Sequence, residues 1–172
     1  MAGLDFLLAL GTVGMQIGAV ILFALYFVRA QPDFAGQVAL ISRYALPTAF
    51  ALSLTASVMT LVYEFNPCPL CWIQRICQYP MVIMLGMALS REKYRAAAID
   101  FSIVLSAIGA CVALYQHILQ MYPMTGLPCP ATGPSCAQIT YLEFGYITYP
   151  MMALSLFVFT IAAMLFARLR SA

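Results

Sequence analysis

Long apolar runs broken by short polar punctuation govern this chain from end to end. Five of them, over about residues 4–28, 44–65, 72–90, 96–121 and 147–166, approach or exceed the roughly 20 residues that carry a helix across a hydrocarbon core. Helices are predicted and not strands, because backbone groups in lipid need partners within their own segment. The first run contains only Asp5 as a charge and has no basic residue ahead of it. It is also longer than the 7–15 apolar residues of a signal-peptide core, so it reads as a retained span. Pro47 falls in the predicted first turn of the second span, where a missing N–H costs least. The pattern predicts an all-α integral membrane protein of five spans in one compact domain, with no internal repeat.

Composition closes off the soluble alternative. The 172 residues are 64% hydrophobic and 8% charged, against about 25% charged in soluble domains, so lipid is the expected solvent. A net charge of +2 is too small to point to nucleic acid. The placement of charge says more. Arg29, Arg43, Arg91, Lys93, Arg95, Arg168 and Arg170 all fall on one side of the predicted bundle, which the positive-inside rule makes cytoplasmic. The N-terminus, 66–75 and 122–146 are then extracytoplasmic, and Arg75 is the one basic residue outside.

Four of the six cysteines fall on that outer side as two close pairs, Cys68 with Cys71 and Cys129 with Cys136. Disulfides persist in that compartment. Cys68-Pro69-Leu70-Cys71 enters a helix, whose first turn offers unpaired N–H groups and partial positive charge to a thiolate. The blander readings are a structural bridge or a zinc half-site, although zinc wants four ligands and the only histidine is His117. Trp72 after Cys71 excludes a c-type haem motif.

Arg75 follows Cys71 by four residues and so shares its helical face. A guanidinium there lowers a thiolate's pKa and can donate to an oxyanion, whereas the plain alternative is snorkelling to headgroups. Cys129 and Cys136 bracket a Pro/Gly-rich loop that tethers no separate domain, which suits exchange with a partner thiol better than stapling. Cys77 and Cys111 lie inside predicted spans and read as inert apolar fillers. Gln116 and His117 sit near the outer end of the fourth span. Glu64 and Asp100 read as interfacial, solvated carboxylates.

Cys68-Pro69-Leu70-Cys71-Trp72-Ile73-Gln74-Arg75 followed by Tyr79-Pro80 resembles the signature of the DsbB/BdbC membrane disulfide-bond formation proteins. The likeness continues through Gln120-Met121-Tyr122-Pro123, the Cys129–Cys136 loop and Phe144-Gly145-Tyr146-Ile147-Thr148-Tyr149-Pro150. It covers roughly 44–168, and the short spacing of Cys129 and Cys136 is similar to the BdbC type. The resemblance implies a four-helix bundle over 44–168, to which 1–29 adds an N-terminal helix the family pattern lacks. It implies reoxidation of a DsbA/BdbD-like thioredoxin-fold dithiol oxidase and reduction of a membrane quinone, ubiquinone or menaquinone, in a bacterial cytoplasmic membrane. By position, Cys129 and Cys136 match the pair that exchanges with the partner, Cys68 and Cys71 the pair beside the quinone. Cys71 and Arg75 match the quinone-contacting residues. If a quinone lies there, the position of Gln116 and His117 at the outer end of span four suits them to its oxygens, although a lone histidine at a helix end is more often simply interfacial. No metal is expected.

Two other readings stand beside it. A vitamin K epoxide reductase-like enzyme also joins a Cys-Xaa-Xaa-Cys to a quinone, but late in its bundle, whereas here the motif lies between spans two and three. A non-enzymatic membrane adaptor would keep both pairs as permanent staples.

Overall fold

The computed structural model describes residues 2–28, 35–62, 68–122 and 135–171. They form five long helices: α1 (Ala2–Val28), α2 (Ala35–Val62), α3 (Pro69–Ser90), α4 (Arg95–Met121) and α5 (Tyr149–Ser171), with a 3-10 turn over Glu92–Tyr94. By length and composition α1, α2, α4 and α5 can each cross a membrane. The 22 residues of α3 rise about 33 Å, long enough as well. What lowers its apolarity is a polar inner face: Gln74 and Gln78 are buried in the bundle. Outward faces are apolar instead, with Val20, Phe27, Val62, Ile76 and Ile83 among the most exposed side chains, as lipid solvent requires.

α2 departs from its predicted bounds. It starts at Ala35, nine residues before Tyr44, so Arg43 lies inside the helix and not in a loop. Pro47 is likewise interior and not in the first turn. Polarity at Gln37, Ser42 and Arg43 marks where the apolar run stops, but a helix satisfies its own backbone and can continue past that point. Next to the proline, Thr48 Oγ1 donates to the carbonyls of Tyr44 (2.8 Å) and Ala45 (3.0 Å) in the preceding turn.

α5 is the hub, packed against α1, α2 and α4, while α3 packs on α2 and α4. Phe157 and Phe166 of α5 are fully buried with Met81, Leu85 and Ile99. The closest approach is at Gly109 of α4, where a Cβ would collide with the ring of Phe157. α1 leans on α5 through Gly18, whose Cβ position is 3.1 Å from the Phe159 ring, and through an edge-on Tyr26–Phe166 contact at 5.8 Å.

Helix direction alternates, so chemistry separates by end. At one end Arg95 pairs with Glu92 at 2.9 Å and Arg168 with Asp100 at 3.3 Å. Asp100 is thus an ion-pair partner and not merely solvated. At the other end the starts of α1, α3 and α5 meet the ends of α2 and α4. Cys68, Cys71 and Cys136 are all there. Cys129 and Glu64 lie outside the described residues.

Candidate active site

Cys68 is the N-cap of α3, in extended conformation (φ −66°, ψ 162°), and Pro69 opens the helix where its missing N–H is harmless. Its Sγ accepts from the backbone N–H of Cys71 at 3.4 Å. One helical turn brings the Cys71 Sγ back to 2.9 Å from the Cys68 Sγ. The pair therefore sits on the unpaired N–H groups of a helix start, a setting that favours sulfur anions. Both cysteines precede the apolar run that begins at Trp72.

Gln116 of α4 reaches across to both sulfurs, its Nε2 3.2 Å from each. Its amide orientation is set from behind, because Oε1 accepts from Gln74 Nε2 at 2.7 Å. Two polar pairs four residues apart, Gln74/Gln78 on α3 and Gln116/Gln120 on α4, make this inner stripe. That spacing is the signal in the sequence for the site's amides. Gln116, singled out for its position at the outer end of the fourth span, lines the same cavity as Cys71 and gives its amide N–H groups to the two sulfurs.

The two cysteines titrate apart. Cys71 is pushed down to about 6, chiefly by the hydrogen bond from the Cys68 thiol, with Gln116 and the Arg75 charge adding to it against the opposing effect of burial. Cys68 is pushed far up by that same hydrogen bond to Cys71, by burial and by Cys136. In the dithiol state Cys71 is the thiolate and Cys68 keeps its proton.

Arg75 lies on the face of Cys71, as the spacing predicts. Its Nη2 donates to the Thr60 carbonyl at 3.2 Å, at the C-terminal end of α2, and its guanidinium lies 5.4 Å over the Trp72 ring. It is half-buried and held within the bundle, not extended to the surface.

Cys136, 1% exposed, sits in a turn after Ser135 with its sulfur in hydrogen-bonding contact with Cys68. Gln120 Nε2 ties this segment to α4 by donating to the Gln138 carbonyl at 3.1 Å. The chain then closes a tight turn, Glu143 pairing with Ile147 around Phe144 and Gly145, both at positive φ (50° and 75°). His117 turns away from the cysteines, its Nδ1 3.0 Å from Thr148 Oγ1. Cys77 is buried in the apolar core, and Cys111 is exposed on the outer face of α4.

Cys68, Cys71, Gln74, Arg75, Gln116 and Gln120 form the polar side of a cavity of about 650 Å³. Leucine, methionine, alanine and threonine side chains of α1, α2 and α5 supply much of the rest. Three sulfurs, one guanidinium and an apolar chamber thus lie together at one end of the bundle.

A family model described as disulfide bond formation protein DsbB matches residues 39–167. The chain belongs to the DsbB family. Among DsbB-like relatives, the Probable disulfide formation protein C of Bacillus cereus is 36% identical over 124 residues, 67% of this chain and 85% of that protein. The Probable disulfide formation protein of Coxiella burnetii is 33% identical over 115 residues, 64% of this chain and 76% of that one. No solved structure matches. Membership in the DsbB family makes this a multi-pass membrane protein of disulfide-bond formation, with disulfide oxidoreductase activity. The matched segment takes in α3, α4 and most of α2 and α5, and leaves α1 outside.

Proposed function

We propose that the protein reoxidises an extracytoplasmic thioredoxin-fold dithiol oxidase and passes the electrons to a membrane quinone. The observation that carries this is the contact of Cys136 with Cys68, which lines one cavity together with Cys71 and Arg75. Residues 44–168 act as the catalytic bundle and 1–29 as an appended helix. The positive-inside rule supports a bacterial cytoplasmic membrane with the cysteine end outward.

The partner's thiolate attacks the Cys129–Cys136 disulfide, and its second thiol resolves the mixed disulfide. The partner leaves oxidised, with two thiols left behind. Cys136 then attacks the sulfur it already touches, Cys68. The Cys68–Cys71 bond breaks and Cys71 departs as a thiolate, a good leaving group because its pKa is about 6. Cys129 next attacks Cys136, restoring that disulfide and releasing Cys68. Reoxidation of Cys68 and Cys71 gives up two electrons and two protons, and a quinone, when bound, supplies the sink for both.

The residues present fit such an acceptor. A volume near 650 Å³ lies within the usual range of small-molecule sites, roughly 300–1,000 Å³. Arg75 supplies donors for a carbonyl oxygen at one side of apolar walls. The Arg75 charge also helps hold the Cys71 thiolate charged, and the apolar walls keep water from it.

The family match favours this reading over a vitamin K epoxide reductase-like enzyme, and a permanently stapled adaptor has no use for a depressed cysteine pKa. Cys71→Ser in proteoliposomes is the test. Quinone reduction is lost while the protein stays inserted and still forms a mixed disulfide with its partner. Retained turnover would refute the assignment.

A further inference from the structure

The family match starts at residue 39, so nothing in it accounts for α1. Yet α1 is firmly built in. Ala9, Thr12 and Ala19 are buried against the bundle at helical spacing. Gln16 donates to Ser155 Oγ of α5 at 3.0 Å and accepts from Tyr146 OH at 2.9 Å. Tyr141 OH donates to the Asp5 carbonyl at 2.7 Å.

Both α1 and α2 pack on α5, but they form no comparable interface with one another. Between them the cavity continues away from the cysteines. Leu8, Gly11 and Met15 line one side of this crevice, and Leu52, Ala56 and Met59 the other. From Thr60, beside Arg75, to Leu52 the apolar lining descends about 12 Å along α2, at 1.5 Å per residue. The chamber is therefore amphiphilic: donors and sulfur at the outer end, hydrocarbon walls reaching toward mid-membrane. A bare ring needs only the first part. Four helices alone would leave the second part open to lipid.

We propose that α1 and α2 frame a lateral port that holds the isoprenoid tail of the acceptor while its head group lies beside Cys71 and Arg75. The proposal rests on the quinone reading above and explains why α1 is there. This helix turns an open bundle face into a walled slot, making tail occupancy part of substrate choice.

Two glycines of α1 allow the test without disturbing the fold. A Cβ added at Gly11 or at Gly14 meets nothing within 4 Å, yet only Gly11 lines the cavity. Trp72, the chain's single tryptophan, is next to Cys71 and reports quinone binding by fluorescence quenching without turnover. The probes are a long-chain isoprenoid quinone and a tail-less tetramethyl benzoquinone, titrated into wild type, Gly11→Phe and Gly14→Phe. Filling the port weakens binding of the long-chain quinone by roughly tenfold in Gly11→Phe, the loss expected from overpacking a formed site. The tail-less ring binds Gly11→Phe as it binds wild type, and Gly14→Phe matches wild type for both quinones. Reduction of the cysteine pairs by dithiothreitol, which needs no quinone, is unchanged in both variants. Long-chain binding by Gly11→Phe equal to wild type overturns the port, and so does an equal loss for both quinones. If neither quinone binds wild type, the quinone reading itself fails and the port goes with it.

Discussion

The sulfur of Cys136 rests on Cys68, the N-cap of α3, while Cys71 turns its sulfur to the amide of Gln116. In the proposed mechanism, exchange between the loop and the helix therefore runs through Cys68, leaving Cys71 as the thiolate. In a Cys129→Ser, Cys71→Ser variant neither resolving thiol remains. Mild oxidation should then join Cys68 to Cys136, seen as one cross-linked peptide pair in non-reducing mass mapping. With only Cys71 kept in the helix pair (Cys68→Ser, Cys129→Ser), bonding to Cys136 should be much slower. Equal yields in the two variants would remove the order of attack proposed here.

Protonation sets a lower pH limit on the chemistry. With Cys71 pushed down to about 6, its thiolate survives at neutral pH and disappears as pH falls through that value. Alkylation of Cys71 in reduced protein, followed by mass spectrometry, should show a midpoint near 6, and quinone reduction should fall off on the same acid limb. Gln116→Leu removes one hydrogen bond to the thiolate and Arg75→Ala removes a nearby positive charge, so each should move the midpoint upward. A wild-type midpoint at the ordinary thiol value would contradict the polarised pair.

Gly109 makes room for Phe157. Gly109→Ala forces the ring or the helix to shift, at about 1–3 kcal/mol of stability, the usual cost of overpacking. Pairing it with Phe157→Leu should recover part of the loss, a coupling readable in a double-mutant cycle of unfolding in mixed micelles. Simple additivity would mean the two helices are not in contact there.

Gln16 joins α1 both to α5 and, through Tyr146, to the turn behind the Cys136 segment. Gln16→Leu leaves the hydroxyls of Ser155 and Tyr146 without that amide, costing about 1 kcal/mol per lost bond. Hydrogen exchange over 141–148 should quicken, with α3 unchanged. No change in 141–148 would show that α1 does not restrain this turn.

Much of the architecture is legible in the residue pattern because lipid imposes simple demands. An apolar run of sufficient length must be a helix, so the pattern locates α1, α3 and α4 to within three residues at their ends and stops α5 five residues short of Ser171. It misplaces the start of α2 because polarity near Arg43 records where hydrocarbon gives out, which need not be where the helix starts. At the site, Cys68, Cys71 and Arg75 are readable from local spacing alone, since one turn fixes their relation. The contact of Cys136 with Cys68 joins residues far apart in sequence, and no local rule carries that. Nor can spacing reveal that Gln116 serves sulfur while His117, its neighbour, turns to Thr148.

Gly109 and Gln116 ride on the same rod, seven residues or about 10 Å apart. The notch that seats one helix against its neighbour thus also sets the height at which an amide meets two sulfurs. A bulkier side chain deep in the hydrocarbon, far from any reacting atom, would be transmitted along the rod as a slip in register at the reactive end. Inherited or engineered changes in the middle of this bundle should therefore surface as altered thiol acidity before they surface as unfolding.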